Sequence, residues 1–184
     1  MQFGDLPDCA HVNFNTIAAP FSINKFYNDI KSQGYKAAKD TLYSYLDYLE
    51  DAFLVFPVPI FTESLRHRET TPKKIYAIDN GLVLANTFNL SDNLGKLLEN
   101  QVYLDLRREG RKIFYYHTSD GYEVDFVTQD AEGNYEMIQI VWDANDPKTL
   151  EREKQALQQA GKELGFSGRL LDYRDYLRRQ IPRV

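Results

Sequence analysis

One carboxylate lies in the middle of a sequence that is typical of a β-strand. Residues 121–127 read GYEVDFV, and Val124, Phe126 and Val127 favour a sheet. Asp125 stands between them, although aspartate is depleted from strands and a buried carboxylate is costly unless a partner compensates its charge. The residues alone leave two alternatives: Asp125 faces solvent on an alternating strand, or it faces a site that uses its charge.

Other residue types that could do chemistry lack the spacing for it. His11, His67 and His117 are far apart in the sequence and show no metal-ligand pattern. Cys9 is the single cysteine, so no disulfide within the chain is expected, and a reducing cytoplasm suits it. The sequence contains no G-x-x-x-x-G-K-[ST] motif, so we expect no ATP binding through a P-loop in this chain.

The composition of the chain argues against some classes of function. The 184 residues carry a net charge of −5, which argues against a nucleic-acid footprint over the whole chain, because phosphate binding needs concentrated Lys and Arg. A local basic patch remains compatible with this charge. The first 15 residues do not resemble a signal peptide, and no apolar run approaches the roughly 18 residues of a membrane helix. We therefore expect a cytoplasmic chain without a membrane partner.

Two amphipathic helices are predicted after an irregular segment at 1–20. Ser22 is a favourable N-cap residue for the first helix, and a second helix begins at about Lys39. Apolar residues at helical spacing mark the second helix: Leu42, Tyr45, Leu46, Leu49, Ala52 and Phe53. We expect Leu49 and Phe53 to lie in the core and to pack against the first helix.

Two strands and a basic loop follow these helices. Residues 52–61 are rich in apolar side chains and contain Pro57 and Pro59, which predicts an edge strand. A second strand is predicted at 73–79, and the basic loop at 62–74 connects the two. Helix, helix, strand, basic loop and strand is the order found in the last part of a winged helix-turn-helix.

The second half of the chain has a different order of elements. A polar stretch at 89–93 predicts a domain boundary. The elements predicted after it are a helix at 94–110, strands at 112–118, 122–129 and 135–143, a helix at 147–163 and a strand at 168–173. A basic tail ends the chain. The predicted order is therefore α, β, β, β, α, β.

Several stretches carry a resemblance to a known family. They are SINKFYNDIKSQGYKAAKDTLYSYLDYLEDAFLVFPVPIF, KKIYAIDNGL, LLEN, EVDFV and IQIVWD. Together they resemble the C-terminal region of a prokaryotic family of AAA-type ATPases. The resemblance implies an α+β chain with a winged-helix domain at 21–88 and a degenerate restriction-endonuclease-like α/β domain at 89–184. It also implies that ATP is bound only by an N-terminal domain that this chain lacks.

The resemblance also implies a degenerate nuclease site. Active members of the wider nuclease superfamily use an Asp on one strand, a Glu-x-Lys on the next strand, and often a Glu on the first helix, to hold Mg²⁺ and orient water. Glu99 and Asp125 match the helix and strand acids, whereas Gln139 and Val141 stand at the Glu-x-Lys positions. We therefore expect Asp125 to face the cleft beside Glu99, Mg²⁺ to bind these two acids only weakly, and no residue to be catalytic.

The basic loop is the predicted nucleic-acid contact. The two helices between 22 and 54 contain four lysines and five acidic residues, a poor composition for DNA readout. The loop is richer in cations, and any contact with a phosphate backbone is expected at Arg66, Arg68, Lys73 and Lys74. Two alternatives remain open: the loop is only a solvated charged turn, or the winged helix packs against an ATPase domain through tyrosines of its second helix.

These observations lead to one hypothesis and one alternative. The chain is expected to be a non-catalytic C-terminal module of an AAA-type ATPase that mediates protein or nucleic-acid contacts. The alternative is a metal-dependent nuclease with a displaced active site. Gln139 and Val141 distinguish the two, because neither supplies the charge that a nuclease needs at those positions.

Overall fold

The computed structural model describes residues 17–85 and 94–180, and this part of the chain has an α+β fold with two β-sheets and seven helices. The amino-terminal region, residues 17–85, contains β1 (Ala19–Phe21), α1 (Ile23–Ser32), α2 (Lys39–Asp51), β2 (Val55–Val58), α3 (Leu65–Thr70), β3 (Lys73–Ala77) and α4 (Asn80–Ala85). The carboxy-terminal region, residues 94–180, contains α5 (Leu94–Arg108), β4 (Lys112–His117), β5 (Glu123–Gln129), β6 (Tyr135–Val141), α6 (Pro147–Leu164), β7 (Gly168–Asp172) and α7 (Tyr173–Gln180).

The two predicted helices of the amino-terminal region are confirmed. The Ser22 hydroxyl accepts a hydrogen bond from the Lys25 backbone N–H at 3.4 Å and caps α1. Ile23, Ile30 and Leu42 form a small core between α1 and α2. Residues 17–20 belong partly to β1, which the prediction of an irregular segment missed, and residues 1–16 lie outside the described part of the chain.

The far end of the predicted apolar stripe on α2 is not core. Leu49 is only half-buried, and the Phe53 side chain is 62% exposed, so the prediction that Phe53 packs in the core is wrong. The physical reason is the end of the helix. Ala52 is the C-cap of α2, and Phe53 follows it with a left-handed φ of 58°, so the helical spacing no longer applies there.

The first sheet has the strand order β1-β3-β2, with both pairs antiparallel. β2 therefore lies at an edge, as its prolines predicted. The basic stretch at 62–74 is not a loop throughout, because Ser64 caps the short helix α3 by accepting from the His67 N–H at 3.2 Å. β3 is central, and its residues from Lys74 to Ala77 are all buried.

The second sheet has the order β4-β5-β6-β7. The pairs β4–β5 and β5–β6 are antiparallel, while β6 and β7 are parallel and connected through α6. Asp146 caps the start of α6, and Gly165 ends it with a φ of 79°. The predicted strands and the long helix are thus confirmed, whereas the basic tail contains an additional helix, α7.

The two regions share one core. Ile60 forms an isolated bridge with Tyr115, and the Phe61 N–H donates to the Tyr115 carbonyl at 2.7 Å. The largest buried cluster includes Tyr76 from the first sheet together with Phe126 from the second. β3 is consequently held at a fixed place beside the second sheet. The predicted boundary at 89–93 lies outside the described residues.

Candidate functional site

A buried lysine lies at the junction of the two regions. Lys74, on β3, is 0% exposed, although lysine is rarely fully buried without a partner. Its Nζ atom lies 3.0 Å from Glu99 Oε1, 2.6 Å from Glu123 Oε1 and 3.1 Å from Asp125 Oδ1. The Tyr76 hydroxyl, two residues along the same strand, donates to Glu99 Oε1 at 2.7 Å. We refer to these five residues as the Lys74 cluster.

A β-bulge sets the direction of the Asp125 side chain. Phe114 pairs with Val127 and Tyr116 pairs with Val124, so two residues of β5, Asp125 and Phe126, lie opposite Tyr115 alone. Bulges re-aim side chains and are common beside functional sites. Here the bulge lets Val124 and Val127 join one buried cluster while Phe126 joins the other. The Asp125 carboxylate then turns toward Lys74.

Helix α5 is fixed to β3 by a second buried polar residue. Asn100 is fully buried, and its side-chain amide accepts from the Ala77 N–H at 2.8 Å and donates to the Ala77 carbonyl at 3.1 Å. Its Nδ2 also donates to Asn80 Oδ1 at 2.9 Å. These contacts hold the preceding residue, Glu99, next to Lys74. Sequence reasoning missed this role, although Asn beside Glu in a predicted apolar helix was a visible signal.

Both polar atoms of the Gln139 side chain form hydrogen bonds within the protein. Its Oε1 accepts from the Asp125 N–H at 3.0 Å, and its Nε2 donates to Glu153 Oε2 at 2.6 Å. Asp125 Oδ2 in turn accepts from the Ile140 N–H at 3.0 Å. Arg152 pairs with Glu153 at 2.5 Å on the outer side. The amide oxygen of Gln139 is thus used by the backbone of β5, and it is not directed toward a metal position.

Burial and charge shift the pKa values of the cluster. Burial lowers the pKa of Lys74, but the fields of Glu99, Asp125 and Glu123 outweigh it and raise that pKa well above its usual value. Burial, reinforced by the Asp125 charge, raises the pKa of Glu99 to about 8. Burial also raises the pKa of Asp125. Lys74 therefore stays charged, and burial beside Asp125 favours the protonated form of Glu99.

Glu123 behaves differently because it reaches the surface of the cluster. Burial raises its pKa, but a hydrogen bond from His117 and the charge of Lys74 outweigh this effect and lower it. His117 Nε2 lies 2.8 Å from Glu123 Oε2. Of the three acids around Lys74, Glu123 is therefore the one whose environment favours the charged form.

The structure brings Glu99, Asp125 and Gln139 together. Their side chains form hydrogen bonds with Lys74 and with backbone N–H groups. Magnesium does not fit this arrangement, because the ammonium group lies between the two carboxylates that would hold the ion. Among the residues described, no group of three or more His, Cys, Asp or Glu is suited to a metal. Val141 is buried and pairs with Asp172 of β7.

The four predicted nucleic-acid contacts do not form one surface. Lys74 requires correction, because its buried ammonium is held by carboxylates and is not available to a phosphate. Lys74 lies on the central strand β3 and not in a loop, and its side chain points inward. The Arg68 guanidinium lies 5.6 Å from the Phe114 ring centroid and donates to the Thr62 carbonyl at 2.5 Å. Arg66 is exposed and Lys73 is half-buried.

A cleft of about 510 Å³ opens beside the cluster. The charged side chains and the amide that line it are Lys96, Glu99, Glu123, Asp125, Gln139, Arg152 and Glu153. Carboxylates outnumber cations in this set, so the cleft is unsuited to a phosphate group. Among the residues described, no helix is both long enough and apolar enough to cross a membrane.

Comparisons with known proteins find two domain families and two relatives. Residues 10–93 match the model "Domain of unknown function (DUF8612)", and residues 94–177 match "Domain of unknown function (DUF4143)". The chain is 32% identical over 171 residues to an uncharacterized protein of Methanocaldococcus jannaschii, which covers 90% of this chain and 37% of that protein. It is 28% identical over 109 residues to an uncharacterized protein of Haemophilus influenzae, with coverages of 59% and 27%.

The chain thus spans about a third of the length of the curated relatives that it matches. No solved structure matches it significantly. In sequence, the chain is therefore similar to two domains of unknown function in tandem, and the two matches meet between residues 93 and 94.

Proposed function

We propose that this chain is a non-catalytic module of a longer protein, built to mediate contacts rather than to hydrolyse phosphodiesters. The observation that carries the proposal is the Lys74 ammonium, which is bonded to the two acids that the nuclease resemblance assigns to a metal. An internal cation therefore already lies between these two acids. The carboxylates then serve to fasten the amino-terminal region to the carboxy-terminal region.

Energetics argue against displacement of Lys74 by a metal ion. Removing one partner of a buried ion pair typically costs about 3–5 kcal/mol, because the remaining charge is left uncompensated. A metal would have to offset that cost with fewer ligands than it prefers, since Gln139 already bonds the β5 backbone. Val141 offers nothing to an attacking water, and loss of one preorganised electrostatic contact typically costs about 10²–10³-fold in rate.

The parent protein is proposed to be an AAA-type ATPase, and its ATPase domain is the proposed partner of the amino-terminal region. The helices α1 and α2 are followed by β2 and β3, and these strands form a sheet with the earlier strand β1; this order supports a winged helix in that region. The order α5, β4, β5, β6, α6, β7 supports a degenerate restriction-endonuclease-like domain in the other. Fold alone does not fix a function, so this assignment rests on the residues of the site.

A cleavage assay tests the proposal. The purified chain is incubated with single- and double-stranded DNA and RNA in Mg²⁺ or Mn²⁺, and we expect no cleavage above background. The Asp125→Ala variant is the matched control for contaminating nuclease. Isothermal titration with Mn²⁺ supplies a second readout, in which the parent is expected to bind more weakly than a Lys74→Met, Gln139→Glu double variant.

One observation favours the alternative of a nuclease with a displaced active site: four carboxylates, Glu99, Glu123, Asp125 and Glu153, line one cleft. Mn²⁺-dependent cleavage that disappears in Asp125→Ala would establish this alternative and reject the non-catalytic module. Cleavage that persists in that variant would instead identify a contaminating enzyme.

Nucleic acid remains a proposed partner through two cations near α3, the exposed Arg66 and the half-buried Lys73. Arg66→Ala with Lys73→Ala should weaken any salt-sensitive DNA binding, with about one unit of salt slope lost per phosphate contact. Lys74 is excluded from this test, since its replacement would disturb the buried cluster. Fluorescence anisotropy measures the effect, and unchanged binding in the double variant would reject a role for these two residues.

A further inference from the structure

The carboxyl end of helix α2 combines features that a self-contained fold avoids. We call it the α2-end surface, and it consists of Asp47, Tyr48, Glu50, Asp51, Phe53 and Leu54. All six residues are exposed, and they fall within the last turns of α2 and the two residues after its C-cap. Local conflicts of this kind are expected at functional sites more than elsewhere.

Phe53 is unfavourable both in its backbone and in its side chain. Its φ of 58° lies in the left-handed region, where a residue with a Cβ is strained and glycine is the usual choice after a helix. No packing compensates for that strain, because the ring is 62% exposed. Glycine at this position would serve the fold better, so the ring has a use that the isolated chain does not show.

The carboxylates of the surface lie at the wrong end of a helix dipole. The carboxyl end of a helix carries partial negative charge and favours cations. α2 has no basic residue in its last turn, while Glu50 and Asp51 lie there. Asp47 and Asp51 form no ion pair with any residue in the described part of the chain. No cation of the described residues therefore balances their charges.

Apolar side chains accompany these free carboxylates. Tyr48 is 65% exposed and Leu54 is 38% exposed, so both present apolar area on the α2-end surface. Tyrosine and phenylalanine are enriched at the centres of protein interfaces. A nucleic acid would be repelled by the three carboxylates, whereas a basic polypeptide would gain both charge pairs and contact with the rings.

We propose that the α2-end surface is the docking surface for a basic segment of a partner polypeptide. Lysine or arginine side chains of that segment pair with Asp47, Glu50 and Asp51, and their aliphatic stems or neighbouring apolar residues cover Tyr48 and Phe53. This inference deepens the proposed contact function and rests on it. It assigns the site and the charge of the partner, which that function leaves open.

The test uses the whole chain and two fluorescent synthetic peptides. One peptide repeats lysine and leucine pairs, and the other repeats glutamate and leucine pairs of the same length. Anisotropy measures affinity, and NMR amide shifts locate the contact. Two variants probe the surface: Phe53→Gly, and the charge reversal Asp47→Lys with Asp51→Lys.

A matched control separates a local effect from net charge. Asp120→Lys with Glu132→Lys makes the same change in charge at exposed turns of the carboxy-terminal region. We expect the lysine–leucine peptide to bind the parent and this control alike, with shifts centred on Tyr48 and Phe53. Both surface variants should lose at least about tenfold in affinity, typical of an interface hot spot.

Phe53→Gly keeps the test independent of folding. Glycine relieves the left-handed strain, so this variant should denature at a higher urea concentration while it binds less. Equal affinity of the parent and Phe53→Gly, no binding of the lysine peptide, or tighter binding of the glutamate peptide or of single-stranded DNA at this surface would each overturn the inference. None of these outcomes bears on the cleavage assay, so the two proposals fail separately.

Discussion

The Lys74 cluster and the α2-end surface use carboxylates in opposite ways. In the cluster, Glu99, Glu123 and Asp125 lie within 3.1 Å of one buried ammonium. On the surface, Asp47 and Asp51 are exposed and unpaired within the described part of the chain. The difference indicates which contacts are internal. The cluster completes the fold, whereas the surface is complete only when another molecule supplies the cations.

The two sets of carboxylates differ in the free energy that their removal costs. Removal of a buried partner leaves an uncompensated charge in a poorly solvated place and is strongly destabilising. Removal of an exposed, unpaired carboxylate changes stability little. Variants in the cluster should therefore affect unfolding, and variants on the surface should affect binding while the fold is retained.

The largest expected effect is that of Lys74→Ala. It leaves Asp125 and Glu123 without their cation, so the free energy of unfolding should fall by about 3–5 kcal/mol. Lys73→Ala, one residue earlier and only half-buried, is the matched control and should change stability by less than about 0.5 kcal/mol. Urea denaturation measures both. Similar losses in the two variants would show that the cluster does not hold the regions together.

A smaller effect is expected within α2, where burial decreases toward the carboxyl end. Leu42 is buried between α1 and α2, so Leu42→Ala should cost about 2–5 kcal/mol. Leu49 is only half-buried, and its replacement by alanine should cost less than that of Leu42. Urea midpoints of the two variants test this order. A larger loss for Leu49→Ala would place the α2 end inside the fold and undermine its assignment as a docking surface.

The sequence predicted regular elements well where periodicity was long. α1, α2, α5, α6 and the strands of the second sheet follow from apolar spacing, caps and turn residues. Short elements were missed, because β1 spans three residues and α3 six, too few for a periodic signal.

The site was predicted in part. The resemblance to a nuclease fold paired Glu99 with Asp125, but the inward direction of Lys74 depends on the central place of β3, which only the tertiary fold determines. The bulge that turns Asp125 is likewise invisible in the pattern of GYEVDFV. For Phe53, helical spacing predicted a place in the core, but the side chain is exposed.

Titration of Glu99 sharpens the comparison further, because a buried carboxylate with a raised pKa makes stability depend on pH near neutrality, whereas an exposed carboxylate does not. The folded pKa of Glu99 is about 8, above its ordinary value of 4.5. A raised pKa stabilises the folded state fully below pH 4.5, and this contribution is lost as pH rises toward 8. Between these values the slope is at most about 1.4 kcal/mol per pH unit.

The Glu99→Gln variant removes this titration. Between pH 5 and pH 8, the free energy of unfolding of this variant should fall less than that of the parent, as measured by urea denaturation at each pH. Glu163→Gln is the control, because hydrogen bonds from Ser119 and Tyr116 lower the pKa of Glu163 to about 2, outside that window. An identical pH dependence in the parent and Glu99→Gln would contradict the assigned protonation of the cluster.

The smallest expected effect comes from the dipole of α2, and it decides whether Asp51 serves the fold. Asp51→Lys replaces an anion by a cation at the negative end of the helix, so stability should rise by about 0.3–1 kcal/mol at low salt and by less in 1 M salt. Asp40 lies in the first turn of the same helix, where an anion is favourable, so Asp40→Lys should lower stability. Urea midpoints at the two salt concentrations measure both changes. If Asp51→Lys is instead destabilising, Asp51 has a partner within the chain, and the distinction between the paired cluster and the unpaired surface fails.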